Sequence, residues 1–104
     1  MLDLPKNSIK LILEAIRSFP SIDEAVVFGS RAKGKSKRGS DIDIAIKGEQ
    51  INFDVVTKLS SLLNEELPLP YYFDIIDYKA IQNEALREHI NRVGQIIFPE
   101  ELNS

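Results

Sequence analysis

The chain has 104 residues, of which 43% are hydrophobic and 28% charged, the balance of a soluble globular domain with one core and no room for a second. Thirteen basic against sixteen acidic residues give a net charge of −3, which argues against a general binder of extended nucleic acid. No apolar run approaches the roughly 20 residues a membrane helix needs, and the absence of cysteine excludes disulfides and thiolate metal sites.

The opening MLDLPKNSIK lacks the basic-then-apolar layout of a signal peptide. A single domain over residues 1–104, cytoplasmic and away from the membrane, is therefore the expectation. Ile9, Ile12, Leu13 and Ile16 recur at helical spacing, predicting an amphipathic helix from about Lys6 to Ser18 that Phe19-Pro20-Ser21 stops. Ala25 to Phe28 is a short apolar run that reads as a buried strand.

That strand feeds into Gly29-Ser30. Gly29 accepts positive φ and leaves the backbone open to a phosphate. Ser30 brings a hydroxyl to a place where a helix start would favour an anion. Taken alone, the pair also describes a plain turn with a serine cap. Arg31, Lys33, Lys35, Lys37 and Arg38 follow as a basic run broken by Gly34 and Gly39. Such a run is most simply a solvated loop, with Arg31, next to the turn, the member with a functional position.

Ser40 leads into Asp41-Ile42-Asp43-Ile44-Ala45-Ile46, where polar and apolar residues alternate. On a strand, Ile42, Ile44 and Ile46 face one way and Asp41, Asp43 and Ala45 the other. The two carboxylates then stand about 7 Å apart on one face. Their repulsion serves no purpose in folding. A divalent cation gives them one, because Mg²⁺ takes oxygen from one or two carboxylates together with substrate phosphates.

Asn52 to Leu67 carries Val55, Val56, Leu59, Leu62 and Leu63 in a helical stripe, ended by Pro68 and Pro70. Tyr71 to Asp77 alternates again, with Phe73 and Ile75 on one face and Tyr72, Asp74 and Ile76 on the other. Ala80 to Val93 reads as a third helix, closed by Gly94, and Gln95 to Phe98 as a last short strand before a loose tail. His89, the only histidine, is read as a surface or packing residue.

Gly29-Ser30, a spacer from Arg31 to Ser40 and Asp41-Ile42-Asp43 together resemble the nucleotidyltransferase superfamily of DNA polymerase β in its minimal, single-domain form. Either motif alone is common. Their spacing, with an apolar run before each, is more specific, and the resemblance extends from about Lys6 to Phe98. It implies an α/β (α+β) fold: a small mixed β-sheet with helices on one face and the carboxylates on the open one. It also implies a third carboxylate on the strand after the second helix. Asp74 matches by position and parity; Asp77, which shares the parity of Phe73 and Ile75, is better placed to cap the following helix.

By this resemblance Asp41, Asp43 and Asp74 form the catalytic and metal-binding set, with two Mg²⁺ ions implied. Gly29, Ser30, Arg31 and Ser40 form the nucleotide-binding set for ATP or another nucleoside triphosphate. The implied reaction moves a nucleoside monophosphate, AMP in the first instance, to a hydroxyl acceptor. Minimal members pair with a small helical protein of the HEPN type as toxin and antitoxin, so a tyrosine of that partner is the expected acceptor. The alternatives are a non-catalytic scaffold subunit, or a nucleotide-binding subunit whose partner chain presents a small-molecule acceptor. A homo-oligomer is compatible with all three.

Overall fold

A computed structural model describes residues 4–29 and 41–100 of the chain. Pro5, extended at φ −62°, ψ 150°, leads into α1 (Lys6–Arg17), whose Ile12, Leu13, Ala15 and Ile16 are buried. The helix stops at Ser18, where both the backbone N–H and the side-chain hydroxyl donate to Ala15 O. Strand β1 (Glu24–Phe28) follows, then β2 (Ile42–Lys47), α2 (Phe53–Ser61), β3 (Phe73–Asp77), α3 (Glu84–Val93) and β4 (Gln95–Phe98). These boundaries match the expected elements closely, except at the ends of α2 and the start of α3.

The strands form one mixed sheet in the order β3-β2-β1-β4. β1 runs antiparallel to both β2 and β4, and β2 runs parallel to β3. The parity read from the sequence sets the layers. Ala25, Val27, Ile42, Ile44, Ile46, Phe73 and Ile75 form the main core with Ile12, Ile16, Leu59 and Leu63 of the first two helices and the turn after α2. Each fully buried valine, leucine, isoleucine or phenylalanine among them contributes roughly 1.5–3 kcal/mol.

The opposite face is divided. Val26, Phe28 and Ala45 form a second cluster with Ile81 and Ile90, so α3 lies on the face that also carries the carboxylates. The sheet class is the expected one, but its helices are shared between both faces. The physical reason is local: Val26 and Ala45 are apolar positions beyond the acidic end, and they need a cover. Ile90 supplies it, and Gly94 allows the approach, since a Cβ there would stand 2.4 Å from Val26 Cγ1 and from Ile90 O.

Two caps differ from expectation. Asp77 accepts from Lys79 N–H at 3.2 Å and caps a short 3₁₀ turn, Tyr78–Ala80. α3 starts later, at Glu84, where Asn83 accepts from Leu86 N–H. Ile81 was expected inside the helix; it is instead extended and buried in the second cluster, which delays the helix start.

Candidate nucleotidyl-transfer site

The chemistry-bearing residues gather where β1 ends and β2 and β3 begin. In the sheet register Phe28 stands opposite Asp43, and Asp43 stands opposite Asp74. Adjacent residues in register on neighbouring strands present their side chains to the same face. Asp43 and Asp74 are therefore lateral neighbours, and Asp41, two residues before Asp43, leads in at the same end. Asp41 and Asp74 are exposed, whereas Asp43 is half-buried.

Gly29 closes the site from the β1 side. Its φ is +83°, the left-handed region that side chains other than glycine enter at a cost. A Cβ at this position would also lie 2.6 Å from Asp43 Oδ2. Both the backbone turn and the close approach of the carboxylate thus require glycine.

The electrostatics follow from the crowding. Asp43 is held above its usual value of 3.8, first by burial, then by the negative charge of Asp74, then by that of Asp41. Asp77 has a different environment. Its carboxylate makes an ion pair with Lys79 Nζ at 2.8 Å and lies beside Ile46 in register. It faces the side of Phe73 and Ile75, away from the acidic cluster.

Of the residues singled out in the sequence, Gly29, Asp41, Asp43 and Asp74 meet at this end of the sheet. Ser30, Arg31 and Ser40 lie outside the described residues. His89 packs its ring edge-on to Phe28 at 6.4 Å, a packing role beside the site. Asn64 had no reading in the sequence, yet its side-chain amide bonds both backbone groups of Phe73, the residue before Asp74. The only local signal was a polar residue beside Leu63, four positions after Ser60.

Among the described residues no three carboxylate or imidazole groups close into a ready-made metal cage. The donor chemistry still fits Mg²⁺, a hard cation that is bound through one or two carboxylates and completes its shell with water and substrate phosphate. Asp43 has the matching deficit, an accumulation of negative charge that a cation would relieve.

Comparison with known proteins gives the family and the fold. The family model described as "Polymerase beta, Nucleotidyltransferase" matches residues 10–102. A relative from Haemophilus influenzae, "Probable protein adenylyltransferase MntA", is 31% identical over 101 residues, covering 96% of this chain and 87% of that protein. Among solved structures, a toxin–antitoxin complex crystallised with AMP-PNP is similar with a TM-score of 0.75 at 22% identity, covering 91% of this chain and 76% of that one. The complex of a tri-AMPylated Shewanella oneidensis HEPN toxin with its MNT antitoxin is similar with a TM-score of 0.70 at 18% identity, covering 94% and 75%. Matched over nearly its whole length by the family model and by a relative above 30% identity, the chain belongs to the polymerase β nucleotidyltransferase family.

Proposed function

We propose that the chain transfers AMP from ATP to a hydroxyl of a HEPN-type partner, a tyrosine in the first instance, and acts in the cytoplasm as the antitoxin of the pair. The observation that carries this reading is the in-register pairing of Asp43 with Asp74 beside Gly29, in a chain of nucleotidyltransferase ancestry. The names of the similar proteins, one a protein adenylyltransferase and others toxin–antitoxin complexes, support the acceptor.

Asp41, Asp43 and Asp74 would hold Mg²⁺, which when bound neutralises the triphosphate and stabilises the attacking and leaving oxygens. Gly29 leaves the strand end open to phosphate, with Ser30, Arg31 and Ser40 assigned to the same phosphates. Asp74 sits at the sheet edge, exposed, where an acceptor can approach. It takes the proton of the acceptor hydroxyl as that oxygen forms its bond to the α-phosphorus. The bond from the α-phosphorus to the bridging oxygen breaks, and the electron pair leaves with pyrophosphate. Asp43, half-buried and pressed by its neighbours, is the group that gains most from cation binding.

Calorimetry of ATP binding tests the site. Binding should require a divalent ion and largely vanish in EDTA, for the chain alone or with its partner. Equal binding in both conditions, or none in either, would count against it.

A further inference from the structure

Among the described residues β3 is an edge strand, bonded to a neighbouring strand on one side only. Tyr72 O accepts from Ile42 N–H at 2.9 Å, so the alternation of a strand turns the backbone groups of Tyr72, Asp74 and Ile76 toward β2. Those of Phe73, Ile75 and Asp77 turn outward. At Phe73 both outward groups are taken by one side chain. Phe73 N–H donates to Asn64 Oδ1 at 2.7 Å, and Asn64 Nδ2 donates to Phe73 O at 3.0 Å. A side-chain amide occupies the place that the peptide of a further strand would fill.

The amide has one workable orientation. Nδ2 also donates to Ser60 Oγ at 3.2 Å, and a flipped amide would set its NH₂ against Phe73 N–H. Asn64 lies in a widened turn, Leu62–Glu66, where Leu67 N–H reaches back to Leu62 O at 3.0 Å. Such turns interrupt regular helical bonding and often occur at functional sites. On the other side of the strand, the Phe73 side chain is fully buried. Residue 73 is thus held from core and edge, and Asp74 is the next residue.

We propose that Asn64 is a positioning residue, holding the start of β3 so that the Asp74 carboxylate stays in register with Asp43 against their mutual repulsion. Asn64 need not touch substrate or cation; it acts through the Phe73 backbone. The consequence rests on the reading of Asp43 and Asp74 as cation ligands. Outer partners of metal ligands typically change metal affinity by about 10–100-fold.

The test compares the full-length chain with Asn64→Ala, Ser60→Ala and Ile12→Val. The last trims a buried core side chain in α1 that takes no part in the Asn64 hydrogen bonds. Mn²⁺ affinity in the presence of AMP-PNP is measured by calorimetry, and backbone amide exchange is measured in the metal-free protein. Asn64→Ala should lower Mn²⁺ affinity about tenfold and speed exchange at Asp74 and Ile76 far more than at Val26 and Val27. Ser60→Ala, which loses only the bond that orients the amide, should show the same pattern at about threefold, and it carries the test if Asn64→Ala does not fold. Ile12→Val should lower Tm while leaving Mn²⁺ affinity within about twofold. A lower Tm for Asn64→Ala with unchanged Mn²⁺ affinity, or exchange raised evenly across the sheet, would overturn the proposal. Failure of the unmodified chain to bind Mn²⁺ would overturn the cation reading itself, while the exchange data still decide whether Asn64 holds the strand.

Discussion

Asp43 and Asp74 are register partners on the parallel strands β2 and β3, which sets two carboxylates side by side on one face of the sheet. Burial, Asp74 and Asp41 all raise Asp43 above its usual value of 3.8. This acid binds its proton more tightly in the folded than in the unfolded state. Its ionisation therefore opposes folding above the folded pKa, and the penalty disappears as pH falls below the unfolded value. In EDTA, Asp43→Asn should be more stable than the parent chain at pH 7, and the gap should narrow as pH falls toward about 4 and close below it. Thermal unfolding across that range checks it; a gap that widens on acidification would be the wrong sign.

Gly29→Ala separates backbone strain from site geometry. A left-handed residue other than glycine costs roughly 1–2 kcal/mol, so Tm should fall modestly. The Cβ would displace Asp43 Oδ2, the free end of a side chain, which can swing aside at little further cost. Transfer activity should therefore fall by far more than the stability loss accounts for. Parallel melting and AMP-transfer assays make the comparison; proportionate losses would deny the close approach a chemical role.

Asp74 and Asp77 should respond oppositely. Asp74→Asn relieves repulsion in the metal-free chain, so Tm should hold or rise while transfer is lost. Asp77→Ala removes the cap on Lys79 N–H and the ion pair with Lys79 Nζ. It should cost about 0.5–2 kcal/mol and leave the chemistry largely intact. A dead Asp77 variant beside an active Asp74 variant would reverse the two roles.

Gly94→Ala probes the cover on the second cluster. Its Cβ would meet Ile90 O and Val26 Cγ1 at 2.4 Å, and neither can rotate away freely. A loss of about 1–3 kcal/mol is expected from overpacking, read by denaturant titration. An unchanged midpoint would mean that α3 sits less tightly on the sheet.

Parity made most of this fold legible in the sequence. The alternation of Ile42, Ile44 and Ile46 with Asp41 and Asp43 predicts the strand and its two faces, and Phe73 with Asp74 repeats the pattern. The side that α3 takes was not legible. Ala45 and Val26 show only that something apolar must cover them; Ile81 supplies part of that cover from an extended segment and Ile90 the rest from a helix whose stripe alone names no target. The late start of α3 is hidden in the sequence because Ile81 fits a helical stripe as well as the extended segment it occupies. Asn64 was invisible for another reason. Its partner is the backbone of a residue nine positions away, and sequence patterns record side-chain periodicity rather than side-chain-to-backbone bonds.

AMP transfer by the Asp43–Asp74 pair is visible in the intact mass of a HEPN-type partner. The partner is incubated with ATP, Mg²⁺ and the chain, or with its Asp43→Asn or Asp74→Asn variant. With the unmodified chain, the partner's mass should increase by whole AMP units. Both variants should slow transfer by orders of magnitude, since several kcal/mol of transition-state stabilisation are removed. A partner that gains no AMP, or gains it equally fast with Asp43→Asn, would contradict it.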